Sequence, residues 1–101
     1  MDIQKLMKQA QQMQAGMQKT QEELANKNVE ASVAGGKVTV VANGAGDVQS
    51  IRIDPSVVDP EDVEFLQELV LSGVQEAVTK GKEMAAAEMS KLTGGLGLPG
   101  M

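Results

Sequence analysis

The sequence predicts an α+β fold: an α-β-β-β-α protomer in which a three-stranded antiparallel meander lies between two long helices. Three observations carry this prediction. The apolar residues of the first quarter of the chain recur at alternating steps of three and four. Those of residues 29–53 recur at steps of two, broken by two glycine-containing turns. The helical period then returns after Asp59-Pro60. A chain of 101 residues has the length of one domain.

Residues 2 to about 27 read as the first helix. Ile3, Leu6, Ala10, Met13, Met17, Thr20 and Leu24 make a heptad seam with a mean spacing of about 3.5 residues. Such a helix is ~39 Å long. Gly16 interrupts it at a cost of about 1 kcal/mol relative to Ala. Its other faces are rich in glutamine, at Gln4, Gln9, Gln11, Gln12, Gln14, Gln18 and Gln21. A helix this polar needs one partner along one stripe, and the stripe reads as structural packing.

The first strand alternates Val29, Ala31 and Val33 with Glu30, Ser32 and Ala34. Gly35-Gly36 reads as a two-residue hairpin turn. Lys37 to Ala42 is rich in β-branched residues, as a strand prefers. Asn43-Gly44-Ala45-Gly46-Asp47 makes the next turn. The third strand, Val48 to Ile53, sets Ile51 and Ile53 against Ser50 and Arg52. Three strands with one apolar face do not stand alone in water, so helices or a second copy must cover that face.

Asp54-Pro55 ends the third strand. Asp59 suits the N-cap of the second helix and Pro60 its first position, with Glu61 and Asp62 favoured by the helix dipole. This helix runs from Pro60 to about Lys91. Val63, Leu66, Val70, Val74, Ala77, Met84 and Ala85 form its broad apolar face. Gly73 and Gly81 are either sites of close backbone approach or weak points. Residues 1–92 form the domain, and residues 93–101 read as a flexible Gly-rich tail.

Composition excludes much chemistry. The chain has no cysteine and no histidine, so it lacks a thiol nucleophile, a thiolate metal site and the commonest general base. Its serines have no histidine to activate them. Gly44-Ala45-Gly46 leads into a strand, whereas a phosphate-binding loop needs a helix behind it. The acids Asp59, Glu61, Asp62 and Glu64 lack the spacing of a calcium loop and fit the cap of an exposed helix. The expectation is a non-catalytic protein with no cofactor, no metal and no small-molecule substrate. No apolar signal core and no apolar run of roughly 20 residues appears, so no membrane segment is expected and a cytoplasmic location is. Phe65 is the one aromatic residue. A core so light gains most cheaply from self-association.

The net charge is −5, which by itself argues against nucleic acid. The distribution qualifies this. Asp54, Asp59, Glu61, Asp62, Glu64 and Glu68 are uninterrupted by Lys or Arg. The first twenty residues carry Lys5, Lys8 and Lys19 against Asp2 alone. Lys5, Gln12 and Lys19 share one heptad position, with Lys8 beside them, away from the apolar seam. This is either a solvated face or a phosphate-contacting stripe padded by glutamine amides.

The segment Leu6-Met7-Lys8-Gln9-Ala10-Gln11-Gln12-Met13-Gln14, continued by Met17-Gln18-Lys19-Thr20-Gln21-Glu22-Glu23-Leu24, resembles the N-terminal signature of the YbaB/EbfC family of bacterial nucleoid-associated proteins. Gly36-Lys37-Val38-Thr39-Val40, Asn43-Gly44-Ala45-Gly46, Ile53-Asp54-Pro55-Ser56, Leu66-Gln67-Glu68-Leu69-Val70 and Leu98-Pro99-Gly100 extend the resemblance in order along nearly the whole chain. It implies the same α-β-β-β-α order, a homodimer formed through the sheets, and projecting helices that hold double-stranded DNA with little sequence preference. It also implies a nucleoid location and a part in chromosome organisation and gene regulation. Helix residues implicated in DNA contact map here to Lys5, Lys8 and Lys19 on the first helix and to Lys80, Lys82 and Lys91 on the second, with Gln12 added as an amide donor from the heptad position it shares with Lys5 and Lys19. Of these lysines only Lys8 and Lys19 fall within the matched segments; the others follow from charge and helix position. About four neutralised phosphates would give a slope of log K against log salt near −3.6. No arginine lies on either helix to read guanine edges. The competing expectation is a chaperone-like interaction module that grips a partner with its amphipathic, methionine-rich helices.

Overall fold

The computed structural model describes residues 2–94, in the order α1 (Ile3–Ala25), β1 (Asn28–Val33), β2 (Val38–Asn43), β3 (Val48–Ile53), a single 3₁₀ turn at Pro55–Val57, and α2 (Val63–Gly94). The strands form one antiparallel sheet in the order β1-β2-β3. Asp2 caps α1, its carboxylate accepting the Lys5 N–H at 3.3 Å. Residues 95–101, most of the segment read above as the tail, lie outside the described residues.

Register assigns the two faces of the sheet. Val29, Ala42 and Val48 stand in one row; Ala31, Val40 and Ile51 in the next; Val33, Val38 and Ile53 in the third. The opposite face carries Glu30, Val41 and Ser50, then Ser32, Thr39 and Arg52. Simple alternation would put Val48 with Ser50 on the polar face. A bulge opposite Val41 and Ala42 absorbs Gln49 and returns Val48 to the apolar row.

Helix α2 lies across the apolar rows of β1 and β2. Val38, Val40, Ala31, Ala42 and Ala77 are buried there, with Leu69 and Val74 packed against them. Full burial of Val38 and Val40 contributes about 1.5–3 kcal/mol each. The choice left open for Gly73 and Gly81 resolves as close approach. A Cβ on Gly73 would sit 2.9 Å from Val40 Cγ2, and one on Gly81 would collide with the Asn43 carbonyl oxygen.

Four local expectations change. The first hairpin is not a two-residue Gly35-Gly36 turn. It is a four-residue turn, Ala34–Lys37, with Ala34, Gly35 and Gly36 all at positive φ, so β2 begins at Val38. Three successive left-handed residues reverse the chain, and glycine adopts that conformation without a Cβ penalty. Helix α2 does not start at Pro60. Asp59 accepts the Glu61 N–H at 2.9 Å and closes a turn, and Asp62 accepts the Phe65 N–H at 3.3 Å, which makes Asp62 the cap. The helix also continues past Lys91 to Gly94. Finally, the heptad seam of α1 packs only in part. Met13, Gly16, Thr20 and Leu24 face the fold, whereas Ile3, Leu6, Ala10 and Met17 are exposed.

Candidate nucleic-acid interface

Three elements meet at the root of α1. Asn43, at the end of β2, is 4% exposed. Its Nδ2 donates to the Ala25 carbonyl at 3.1 Å, and its Oδ1 accepts the N–H groups of Ala45 and Asp47 at 3.0 and 2.9 Å. One side chain thus closes the β2–β3 turn and satisfies a carbonyl of the last turn of α1. The Gly44 N–H bonds the Leu24 carbonyl at 2.9 Å, so close that a Cβ on Gly44 would lie 2.8 Å from Leu24 atoms. Gly81 of α2 passes the same spot. From this root α1 and α2 run antiparallel: Glu88 pairs with Lys27 at 3.6 Å, and Leu92 approaches Gly16. The first eleven described residues, 2–12, are exposed throughout. Helix α1 is therefore an arm fixed at its C-terminal end.

On that arm Lys5, Lys8, Gln12 and Lys19 fall within about 60° of one another at ~100° per residue. All four are exposed. The stripe from Lys5 to Lys19 is ~21 Å long. Among the described residues, Lys5, Lys8 and Lys19 make no ion pair, and neither do Lys80 and Lys82. The other cations are engaged: Lys27 and Lys91 with Glu88, Lys37 with Asp54, Arg52 with Glu30.

The second-helix candidates are not brought together with that stripe. Lys80 and Lys82 flank the buried Gly81 and diverge. Lys80 Nζ donates to the Glu30 carbonyl at the β1 edge at 3.0 Å, while Lys82 runs beside the Gly46 turn. Lys91 lies near α1 but pairs with Glu88 at 3.7 Å. The acids of residues 54–68 lie toward the far end of α2. From Gly81, level with the root of α1, back to Asp62 is roughly 28 Å of helix. That exceeds the ~8 Å over which salt screens exposed charges at physiological strength. These acids therefore add little to the field at Lys5 and Lys8, whereas Glu22 and Glu23 lie within about one helical turn of Lys19. One acid in that region is perturbed: hydrogen bonds from Ser56, with Lys37 nearby, hold the Asp54 carboxyl below its ordinary value.

Asn43 was not identified as a positioning residue by sequence reasoning. Asn-Gly marks a turn, and nothing local shows that the same amide reaches a helix eighteen residues earlier. A second surface is apolar. Every residue of β3 is exposed, including Val48, Ile51 and Ile53, because α2 covers only β1 and β2. On α2, Leu66, Gln67, Val70, Leu71 and Val74 line a groove of about 410 Å³. Among the described residues no cluster of acids could hold a metal ion, and no helix is long and apolar enough to cross a membrane.

The sequence profile of the YbaB/EbfC DNA-binding family matches residues 1–96. The chain belongs to that family. It is similar to a protein of Acetivibrio thermocellus named nucleoid-associated protein, at 57% identity over 101 residues, covering 99% of this chain and 89% of that one. A nucleoid-associated protein of Akkermansia muciniphila is likewise 57% identical over 99 residues, covering 98% and 95%. The crystal structure of an uncharacterized protein from Helicobacter pylori has the same fold, with a TM-score of 0.80 at 22% identity, covering 92% of this chain and 98% of that one. The YbaB/EbfC match thus rests on the whole described chain, from the α1 arm through the sheet to α2.

Proposed function

We propose that this protein is a homodimeric nucleoid-associated protein that holds double-stranded DNA by lysine–phosphate contacts from α1, with little sequence preference, and so contributes to chromosome organisation and gene regulation. The observation that carries the reading is the row of exposed, unpaired lysines Lys5, Lys8 and Lys19 on a projecting helix of a DNA-binding family member. Gln12 and its neighbours supply amide donors beside them. Lys82 is a secondary contact. Lys80 and Lys91 contribute only by leaving their present partners. Base edges are not read, because neither helix carries an arginine.

The dimer forms on the exposed apolar face of β3 and the apolar groove of α2. Exposed Val48, Ile51 and Ile53 on β3, and a groove lined by Leu66, Val70 and Leu71 on α2, are the kind of apolar surface monomers rarely leave in water. Dimerisation doubles the three lysines to six. Neutralising six phosphates gives a salt slope of at most about −5.4, and four give about −3.6.

The test is fluorescence anisotropy on a random-sequence duplex across a salt series, beside a Lys5/Lys8/Lys19→Ala variant. The wild type is expected to weaken steeply with salt, and the variant to lose most of the slope. A folded dimer that binds no duplex at low salt would overturn the reading and put the partner-gripping module in its place.

A further inference from the structure

Two surfaces carry opposite charge beside uncovered apolar side chains. On the outer part of α1, Ile3 is 67%, Leu6 49% and Met7 57% exposed, with the exposed Lys5 and Lys8 among them. Ahead of α2 and in its first turns, Val58 is 49%, Val63 51% and Phe65 46% exposed, among the exposed acids Glu61, Asp62, Glu64 and Glu68. Among the described residues, neither these two lysines nor these four acids form an ion pair. We propose that the α1 arm of one copy docks on the acidic first turns of α2 of a second copy, so that copies join head to tail.

Within one chain the two surfaces cannot meet. The α1 arm lies beside the C-terminal part of α2, where Leu92 approaches Gly16. From Leu92 back to Asp62 is ~45 Å of helix. Charge then selects which surfaces of two copies meet. Arm on arm sets Lys5 and Lys8 against the same lysines, and acidic end on acidic end sets carboxylate against carboxylate. Arm on acidic end pairs unlike charges and buries apolar surface on both sides. Spacing agrees, since Lys5 and Lys8, like Glu64 and Glu68, are separated by about one helical turn. Phe65, the chain's one aromatic residue, lies about 60° from Glu68 around α2, and Met7 lies about 100° from Lys8 around α1, so ring and thioether sit beside the charges. Gln67, Val70, Leu71 and Val74 of the apolar groove lie about 120–180° around α2 from Phe65, so this contact leaves the groove free for the dimer. Because the two surfaces differ, the contact is heterologous and adds dimer to dimer. It does not depend on DNA binding.

The test is sedimentation velocity of the DNA-free protein over a concentration series. At about 10 mM salt, where charges act over ~30 Å, the weight-average mass should at least double as concentration rises; near 1 M, where they act over ~3 Å, it should stay at its basal value. A mass that does not change with concentration at low salt overturns the proposal. Charge reversal identifies the surfaces. Lys5→Glu/Lys8→Glu and Glu64→Lys/Glu68→Lys should each stay at the basal mass alone and associate when mixed in equal amounts, because each variant then meets the opposite charge on the other. Association of either folded variant alone, or none in their mixture, overturns the proposal. Should circular dichroism show that a reversal disturbs the fold, neutral variants take its place. Lys5→Gln/Lys8→Gln and Glu64→Gln/Glu68→Gln should each weaken association at least threefold, and no loss in either overturns the proposal.

Discussion

Replacing Gly81 by alanine tests the root of α1 most directly. In an exposed helix the change is favourable, since Ala is better than Gly by about 1 kcal/mol. Here the new Cβ meets the Asn43 carbonyl oxygen. That oxygen cannot easily move, because it accepts the Gly46 N–H at 3.1 Å and its residue is held by the three side-chain bonds of Asn43. Overpacking costs typically 1–3 kcal/mol, and an unyielding backbone partner puts this case at the upper end. The net expectation is a loss of roughly 2 kcal/mol in denaturant unfolding. Gly16→Ala is the internal comparison. Its Cβ would sit at an ordinary 3.7 Å from Leu92 Cδ1, so the same change in the other helix should stabilise by about 0.5–1 kcal/mol. Equal effects at the two positions, or a stabilising Gly81→Ala, would refute the claim that Gly81 exists for close passage over Asn43.

Three further outcomes follow from the same geometry. Asn43→Ala removes three hydrogen bonds from a buried site and should cost about 2 kcal/mol, with hydrogen exchange rising first at Ala45 and Asp47. Ile51→Asp, on the exposed apolar row, should leave the far-UV circular dichroism intact and convert a dimer to a monomer in sedimentation velocity; an unchanged dimer would place the interface elsewhere. Asp54 has a folded-state pKa below its ordinary 3.8. Its contribution is therefore present above about pH 4 and lost as pH falls through the folded value, so the stability gap between wild type and Asp54→Asn should be seen at neutral pH and shrink below pH 4.

Much of the fold was legible because its signals are local. Alternation at Val29–Val33, the β-branched run of Lys37–Ala42, and the three-four spacing along α2 each report on neighbours in sequence. What stayed hidden depends on contacts between distant segments. The two roles open to Gly73 and Gly81 separate only when β2 is known to lie beneath them. Asp59-Pro60 carries a stronger helix-start signal than Asp62, yet Asp59 spends its carboxylate on a turn. The α1 seam reads as continuous from Ile3 to Leu24, but a partner helix ending at Gly94 covers only its inner half. For the candidate site, the α1 stripe follows from heptad position. The engagement of Lys80 and Lys91 does not, because their partners Glu30 and Glu88 are a matter of packing.

The placement of charge resolves the apparent conflict between an acidic chain and a polyanionic ligand. A uniform −5 would repel DNA, but potentials at physiological salt are set by charges within about 8 Å. Within that range the outer half of α1 offers Lys5 and Lys8 against Asp2, while the acids of residues 54–68 lie toward the far end of α2 from the root of α1. The sheet thus does more than join two helices. By clamping α1 through Asn43 and α2 through Gly81, it holds the basic arm away from the acidic end at a fixed distance. Loosening that clamp would let the acidic end swing toward bound DNA, so Asn43→Ala should weaken duplex binding at low salt more than at high salt, although Asn43 touches no phosphate.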